Sequence, residues 1–143
     1  MNVLKLQIVT PEKEVSSVMC VQVVAHAEDG LITIQPSHAR LATNLKISHL
    51  VVDTVEEGSH QTRSSYYAVS GGILFVENNL LRIMTPAAEN GASIDAARAA
   101  RAKKRAEERL NSPSGETDRN RAQQAYWRAQ TRLAVAEFHK KGQ

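Results

Sequence analysis

At TPAAENG, residues 85 to 91, the hydrophobic period of the chain changes from that of strands to that of helices. Upstream lie short runs rich in Val, Ile and Leu: LKLQIV, MCVQVVA, LITI, KISHLVV, YYAVS, GILFV and LLRIM. Turn signals such as EDG, EEGSH, SGG and ENN separate them. In KISHLVV the apolar Ile47, Leu50 and Val52 partly follow the two-residue period of a half-buried strand. Short strands at this spacing predict an antiparallel β-sandwich or barrel over residues 1–86. No sustained helical period occurs before residue 86.

Downstream, alanine dominates and helix propensity is high. Ser93 reads as the helix N-cap, with Asp95 in the first turn. NSPSGETD, residues 111–118, can only be a turn, and a second helix follows from about Asp118 to Lys140. Its apolar positions Ala122, Ala125, Tyr126, Ala129, Leu133 and Ala136 recur at helical spacing. Residues 87–143 therefore read as an antiparallel two-helix hairpin, giving an α+β chain of two modules. A seam made mostly of alanine buries little area, so the hairpin is expected to be marginally stable alone. Tyr126 belongs in that seam. Trp127, about 100° round the helix, is more exposed and can face the sandwich.

Charge divides the chain at the same place. Residues 1–87 carry six Lys and Arg against eight Asp and Glu, whereas residues 88–143 carry twelve against seven. The single cysteine, Cys20, rules out a disulfide framework and reads as a small buried residue. No segment reaches the roughly 18 apolar residues of a membrane span, and MNVLKLQIVTPEKE does not read as a signal peptide. A soluble, cytoplasmic protein is expected. There is no P-loop, GxGxxG or GxSxG. The histidines at 26, 38, 49, 60 and 139 lack HxxxH spacing, so no metal site is expected. His38 reads as a turn histidine bonded within the fold, and Asp53, Glu56 and Glu57 as a solvated hairpin end. No autonomous enzyme is expected.

The basic residues of the hairpin are ordered. On the first helix Arg105 and Arg109 fall within about 20° of Arg98, with Arg101 about 60° away from it. On the second helix Arg121, Arg128 and Arg132 align in the same way. In each helix the apolar seam lies on the same side of the stripe. Antiparallel helices with facing seams are related by a twofold axis perpendicular to their plane, so both stripes emerge on one face. Like charges so placed repel. They suit a polyphosphate or an acidic protein surface, since guanidinium forks match carboxylate and phosphate oxygens. A merely solvated face is the plain alternative. Nucleic-acid backbone is a further candidate, disfavoured by the acidic sandwich and the scarcity of aromatics for stacking.

The order of motifs is similar to one known family. An opening strand with TPE precedes DGLITIQPSHARLAT, YYAVSGGILFVENNLLRI and AAENGASIDAARAARAKKRAEERL. Over nearly its whole length the chain resembles the epsilon subunits of F-type ATP synthases. The resemblance implies a ten-stranded sandwich that binds the gamma subunit and the c ring of the rotor. It also implies a non-catalytic, peripheral subunit on the cytoplasmic face of the membrane. The hairpin would permit turnover when folded down, and would suppress ATP hydrolysis when extended towards the alpha and beta subunits. Some members bind regulatory ATP through I/L-D-x-x-R-A, here Ile94, Asp95, Ala96, Ala97, Arg98 and Ala99. Glu89, Arg105, Arg128 and Arg132 match the accompanying positions, the arginines for the phosphates, with Glu89, Ile94 and Asp95 near the nucleoside. Asp29, Gly30, Leu31, Pro36, His38 and Arg40 fall in the presumed ring-contacting segment. There the sequence departs from the family: Leu31 replaces a frequent acid, Thr33 a second glycine and Arg40 a proline.

Overall fold

The computed structural model describes residues 2–112 and 115–142. The strands are β1 (Leu4–Val9), β2 (Glu14–Cys20), β3 (Gln22–Ala27), β4 (Gly30–Ile34), β5 (Leu41–Val55), β6 (Thr62–Glu77), β7 (Leu80–Met84) and β8 (Ala88–Asn90). A 3-10 turn (Gly91–Ser93) leads to α1 (Ala96–Leu110) and then α2 (Glu116–Lys141). An antiparallel β-sandwich followed by a two-helix hairpin is thus the architecture. Two residues of the expected NSPSGETD turn, Pro113 and Ser114, lie outside the described residues.

The resemblance implies ten strands, whereas eight occur among the described residues. The difference lies in β5 and β6, of 15 and 16 residues, which pair antiparallel along their whole length. The C-terminal part of β6 pairs with β7 and its N-terminal part with β8. The C-terminal part of β5 pairs with β3. One layer is therefore β2, β1, β7 and the first half-ladder of β5–β6; the other is β4, β3, the second half-ladder and β8. Counting the two long strands once per layer restores ten. Within this scheme β1 and β7 run parallel.

SGG, read above as a turn signal, is no turn. The β5–β6 ladder omits one pair, Lys46 and Gly71, with no change of register between Leu45↔Gly72 and Ile47↔Ser70, and here the long pair passes from one layer into the other. Gly71 and Gly72 have φ of +80° and +120°, which a side chain resists. A Cβ on Gly72 would also run into the Met84 carbonyl. MCVQVVA likewise breaks at Val21: β2 pairs with β1, while β3 pairs with β5 in the opposite layer. The Val21 N–H is satisfied across that corner by the Asp53 carbonyl at 2.8 Å.

Alternation fills the core. Leu4, Leu6 and Ile8 of β1 meet Leu50, Val52, Leu74, Val76, Leu81 and Ile83. Tyr67 is buried with its hydroxyl 3.0 Å from Ser16 Oγ, so its polar end is satisfied. Cys20 is buried among these residues; burial, then the nearby Asp53 charge, push its thiol up to about 11. It remains a neutral, packed thiol. Leu74→Ala is predicted to cost about 3 kcal/mol in chemical denaturation. Gly72→Ala should cost more than Gly58→Ala, because Gly58 shares the positive φ but has open space around it; equal losses would count against the close approach to Met84.

Candidate functional site

The 3-10 turn and the start of α1 are set by two short side chains. Asn90 Oδ1 accepts from the Ala92 N–H at 2.9 Å, and Asp95 Oδ1 accepts from the Arg98 N–H at 3.1 Å. Asp95, not Ser93, is therefore the N-cap of α1. Ser93 ends the 3-10 turn, and the intervening Ile94 is extended, so only Asp95 is placed to reach the free N–H groups. These turns carry the chain from β8 directly into α1.

A cleft of about 440 Å³ forms at that junction. Its walls include Glu89 of β8, Ile94, Asp95, Arg98, Ala99 and Arg105 of the first helical arm, and Arg132 of α2. Of the eight residues expected at a nucleotide site, seven line this one cavity. The eighth, Arg128, lines an adjoining groove of about 970 Å³ with Trp127, Lys46, Ile47 and Gly71, and Arg132 lines both spaces. At the hairpin tip, Arg105, Arg109 and Arg121 line a third cleft beside Glu108 and Asp118. Arginines from both helices thus line common spaces, Arg105 and Arg132 each bordering two of the three clefts.

The electrostatics of the junction are uneven. Arg132 Nε lies 2.7 Å from Glu89 Oε1, with side chains 30% and 39% exposed. This pair ties α2 to the sheet. Arg98 and Arg105 make no ion pair among the described residues and leave the cleft with surplus positive charge. A volume of this order suits a small polar ligand. An anionic one would gain from two unpaired guanidinium groups and could compete with Glu89 for the third.

The expected rotor-contacting residues do not form one cluster. Asp29, Gly30 and Leu31 lie at the β3–β4 hairpin, where Gly30 takes φ of +132° and Leu31 is 63% exposed. Pro36, His38 and Arg40 lie at the far end of β4, on the order of 15 Å along the strand. His38 Nδ1 bonds the Ala39 carbonyl at 2.6 Å, a local turn contact. Arg40 sits over the Phe75 ring, 6.0 Å from its centroid, and 3.9 Å from Glu77.

The docking of α2 was not legible in the seam residues. On one side α2 meets α1: Ala99 and Ala106 are buried with Ala122 and Ala129, and Lys103 Nζ sits 5.6 Å from the Tyr126 ring centroid. On the other side Val135 is buried, and Phe138 packs against His49 and Tyr66 with ring centroids 5.1 and 5.5 Å away. A Cβ on Gly91 would lie 3.2 Å from Val135 Cγ1 and 2.9 Å from His139 Cβ. Trp127, 48% exposed, borders the sheet-side groove. Apolar residues on two opposite sides leave α2 with no single hydrophobic stripe. The signal that could have revealed this was the i, i+3 pair Val135 and Phe138, outside the alanine seam.

A β-sandwich with a basic two-helix hairpin laid across it, and an arginine-walled cleft at the junction, is the arrangement of this chain. Comparison with known proteins gives it a family. Residues 3–91 match the family model "ATP synthase, Delta/Epsilon chain, beta-sandwich domain", and residues 93–137 match "ATP synthase, Delta/Epsilon chain, long alpha-helix domain". The ATP synthase epsilon chain of Desulforamulus reducens is 42% identical over 133 residues, covering 93% of this chain and 96% of that protein. The epsilon chain of Bacillus velezensis is 41% identical, covering 95% and 98%. A chain in the Euglena gracilis mitochondrial ATP synthase shares the fold, with a TM-score of 0.77 at 20% identity over 95% of this chain and 82% of that one. The chain belongs to the epsilon-chain family of F-type ATP synthases. No helix among its described residues is long and apolar enough to cross a membrane.

Glu89→Gln should weaken docking by less than about 1 kcal/mol, since the pair is substantially solvated. Gly91→Ala should weaken it more, because the added methyl meets α2 directly. Hydrogen exchange at α2 amides would measure both, and a larger effect of Glu89→Gln would contradict this ranking.

Proposed function

We propose that this chain is a non-catalytic regulatory subunit of the ATP synthase central stalk, and that its hairpin senses ATP. The sandwich links the gamma subunit to the c ring, at the cytoplasmic face of the membrane. The folded hairpin permits turnover. Extended towards the alpha and beta subunits, the hairpin suppresses ATP hydrolysis, its freed arginines pairing with acidic segments there.

The observation that supports the sensor is the junction cleft. It gathers Glu89, Ile94, Asp95, Arg98, Ala99, Arg105 and Arg132 from three elements that meet only when α2 lies on the sheet and α1 lies beside α2. A ligand there binds the folded arrangement and not the extended one. By mass action it stabilises the folded state as its concentration exceeds its dissociation constant. Arg98 and Arg105 supply charge for the phosphates, and Arg132 can pass from the Glu89 carboxylate to the ligand. Glu89, Ile94 and Asp95 are left to contact the nucleoside. Arg128, in the adjoining groove, reaches the same ligand only by turning towards Arg132. ATP adds nothing covalent in this role; its binding energy alone shifts the hairpin.

The alanine seam suits a reversible element. Small side chains give close helix contact but little buried area, so opening forfeits little hydrophobic stabilisation. The regulatory equilibrium can then be moved by a ligand worth a few kcal/mol.

Isothermal titration of the full chain with ATP and ADP tests the sensor. Saturable binding that prefers ATP is expected, with Arg98→Ala and Arg105→Ala each weakening it about tenfold or more. Arg128→Ala should weaken it less than Arg132→Ala. Absence of binding at millimolar ATP would remove the sensor and leave the stalk reading in place.

A further inference from the structure

We propose that His49, packed between His26 and Phe138, forms with His26 a proton-operated latch whose protonation releases α2 from the sheet. Its consequence for turnover rests on the brake reading above; the latch itself does not.

The geometry is a chain of rings across three elements. His26 of β3 and His49 of β5 lie with ring centroids 4.8 Å apart and planes inclined by 60°. Phe138 meets His49 edge-on at 5.1 Å and Tyr66 of β6 at 5.5 Å. Both histidines are partly buried, and His49 lies within the footprint of the helix. Phe138 stands three residues beyond the buried Val135, on the sheet-facing side of α2. It is thus one of the few apolar anchors holding the hairpin down. His49 is flanked by the apolar Phe138 ring, which is itself 37% exposed and offers no hydrogen bond to an imidazolium.

Two adjacent imidazoles resist carrying two charges, and an apolar cover resists even one. Burial first, and the neighbouring His26 second, hold His49 below its ordinary value of 6.5. The other groups facing this site offer little relief. Tyr66 packs against Phe138, and His139 of α2 lies beside Gly91 on the same docking face. On the flank of α2, Glu137 is engaged with Lys141 at 3.2 Å, and Lys140 adds positive charge. Asp53, further along the same face of β5, accepts from Ser64 Oγ at 2.6 Å and Gln22 Nε2 at 3.2 Å. Glu28 and Lys46 border the neighbouring groove.

The sign follows from linkage. The released state binds protons with the ordinary affinity of an exposed histidine, and the docked state binds them less tightly. Docking is therefore fully supported above about pH 6.5 and loses this contribution as pH falls through 6.5 towards the lowered docked value. Each pH unit of separation is worth up to about a tenfold fall in the docked-to-released ratio. If the hairpin is the brake, acidification favours the braked form.

Trp127, the only tryptophan, borders the groove between α2 and the sheet and reports docking directly. The test titrates the full chain without nucleotide from pH 8 to pH 5, following tryptophan emission and far-ultraviolet circular dichroism. Expected is an emission shift with a midpoint at or below about 6.5, while the dichroism is retained. His49→Phe keeps an apolar ring and should stay docked to pH 5; His49→Gln should also lose the transition. Phe138→Ala should show the low-pH emission already at pH 8. The proposal is overturned by an invariant wild-type emission, by dichroism lost in step with the shift, or by an unchanged transition in the double variant His26→Phe/His49→Phe. A pH-independent emission in Phe138→Ala that matches docked wild type would overturn it too. ATP titration at pH 8 separates the two ideas: no binding with an intact acid transition removes the sensor and supports the latch.

Discussion

The β5–β6 ladder is the interaction on which the remaining structure rests. Its fourteen paired positions run from Leu41↔Val76 to Val55↔Thr62 and pass through both layers. Residues of one parity, among them Leu50, Val52, Tyr67 and Val69, close the core. Their neighbours Ile47, His49, Tyr66 and Ala68 form the outer platform that receives α2. Core and platform are two faces of the same strands, so one cannot be repacked without moving the other. The bend at Gly71 and Gly72 turns a single long hairpin into this two-layered support.

On that platform the hairpin is held unequally. α2 is clasped by the sheet and by α1, whereas α1 is held chiefly by α2. The anchors of α2 are few: Val135, Phe138 and the Arg132–Glu89 pair. Because the junction cleft draws walls from β8, α1 and α2 together, anything that lifts α2 dismantles the cleft. Binding in the cleft and docking on the sheet are therefore the same equilibrium viewed from two sides.

Much of this was legible in the sequence, and what was missed has physical causes. The change of period near residue 86, the alanine seam and the convergence of arginines from two helices all follow from spacing alone. SGG misled because glycine pairs serve turns and strand bends alike; what decides between them is the Met84 backbone, which no local rule reveals. Ser93 and Asp95 are both good capping residues, and only the intervening 3-10 turn selects Asp95. The sheet-facing side of α2 was hidden because a helix packed on two sides has no single apolar stripe. Seven of the eight residues expected at a nucleotide site share one cleft, while the loop residues expected to meet the rotor are divided by the length of β4.

The parallel pairing of β1 with β7 carries a consequence for biosynthesis. Lys5 to Val9 lie against Leu80 to Met84, so the middle of the first layer cannot be completed until the chain has been made through residue 84. Until then β1 has only β2 beside it, and one row of its backbone groups is unsatisfied. Such non-local closure is slow compared with helix formation. The helices emerge from the ribosome last and fold fastest. They therefore meet a sandwich that is just closing, and the platform and its cover mature within the same interval. A nascent chain arrested before residue 80 would expose an open aliphatic sheet edge, the kind of surface that chaperones recognise and that aggregation exploits.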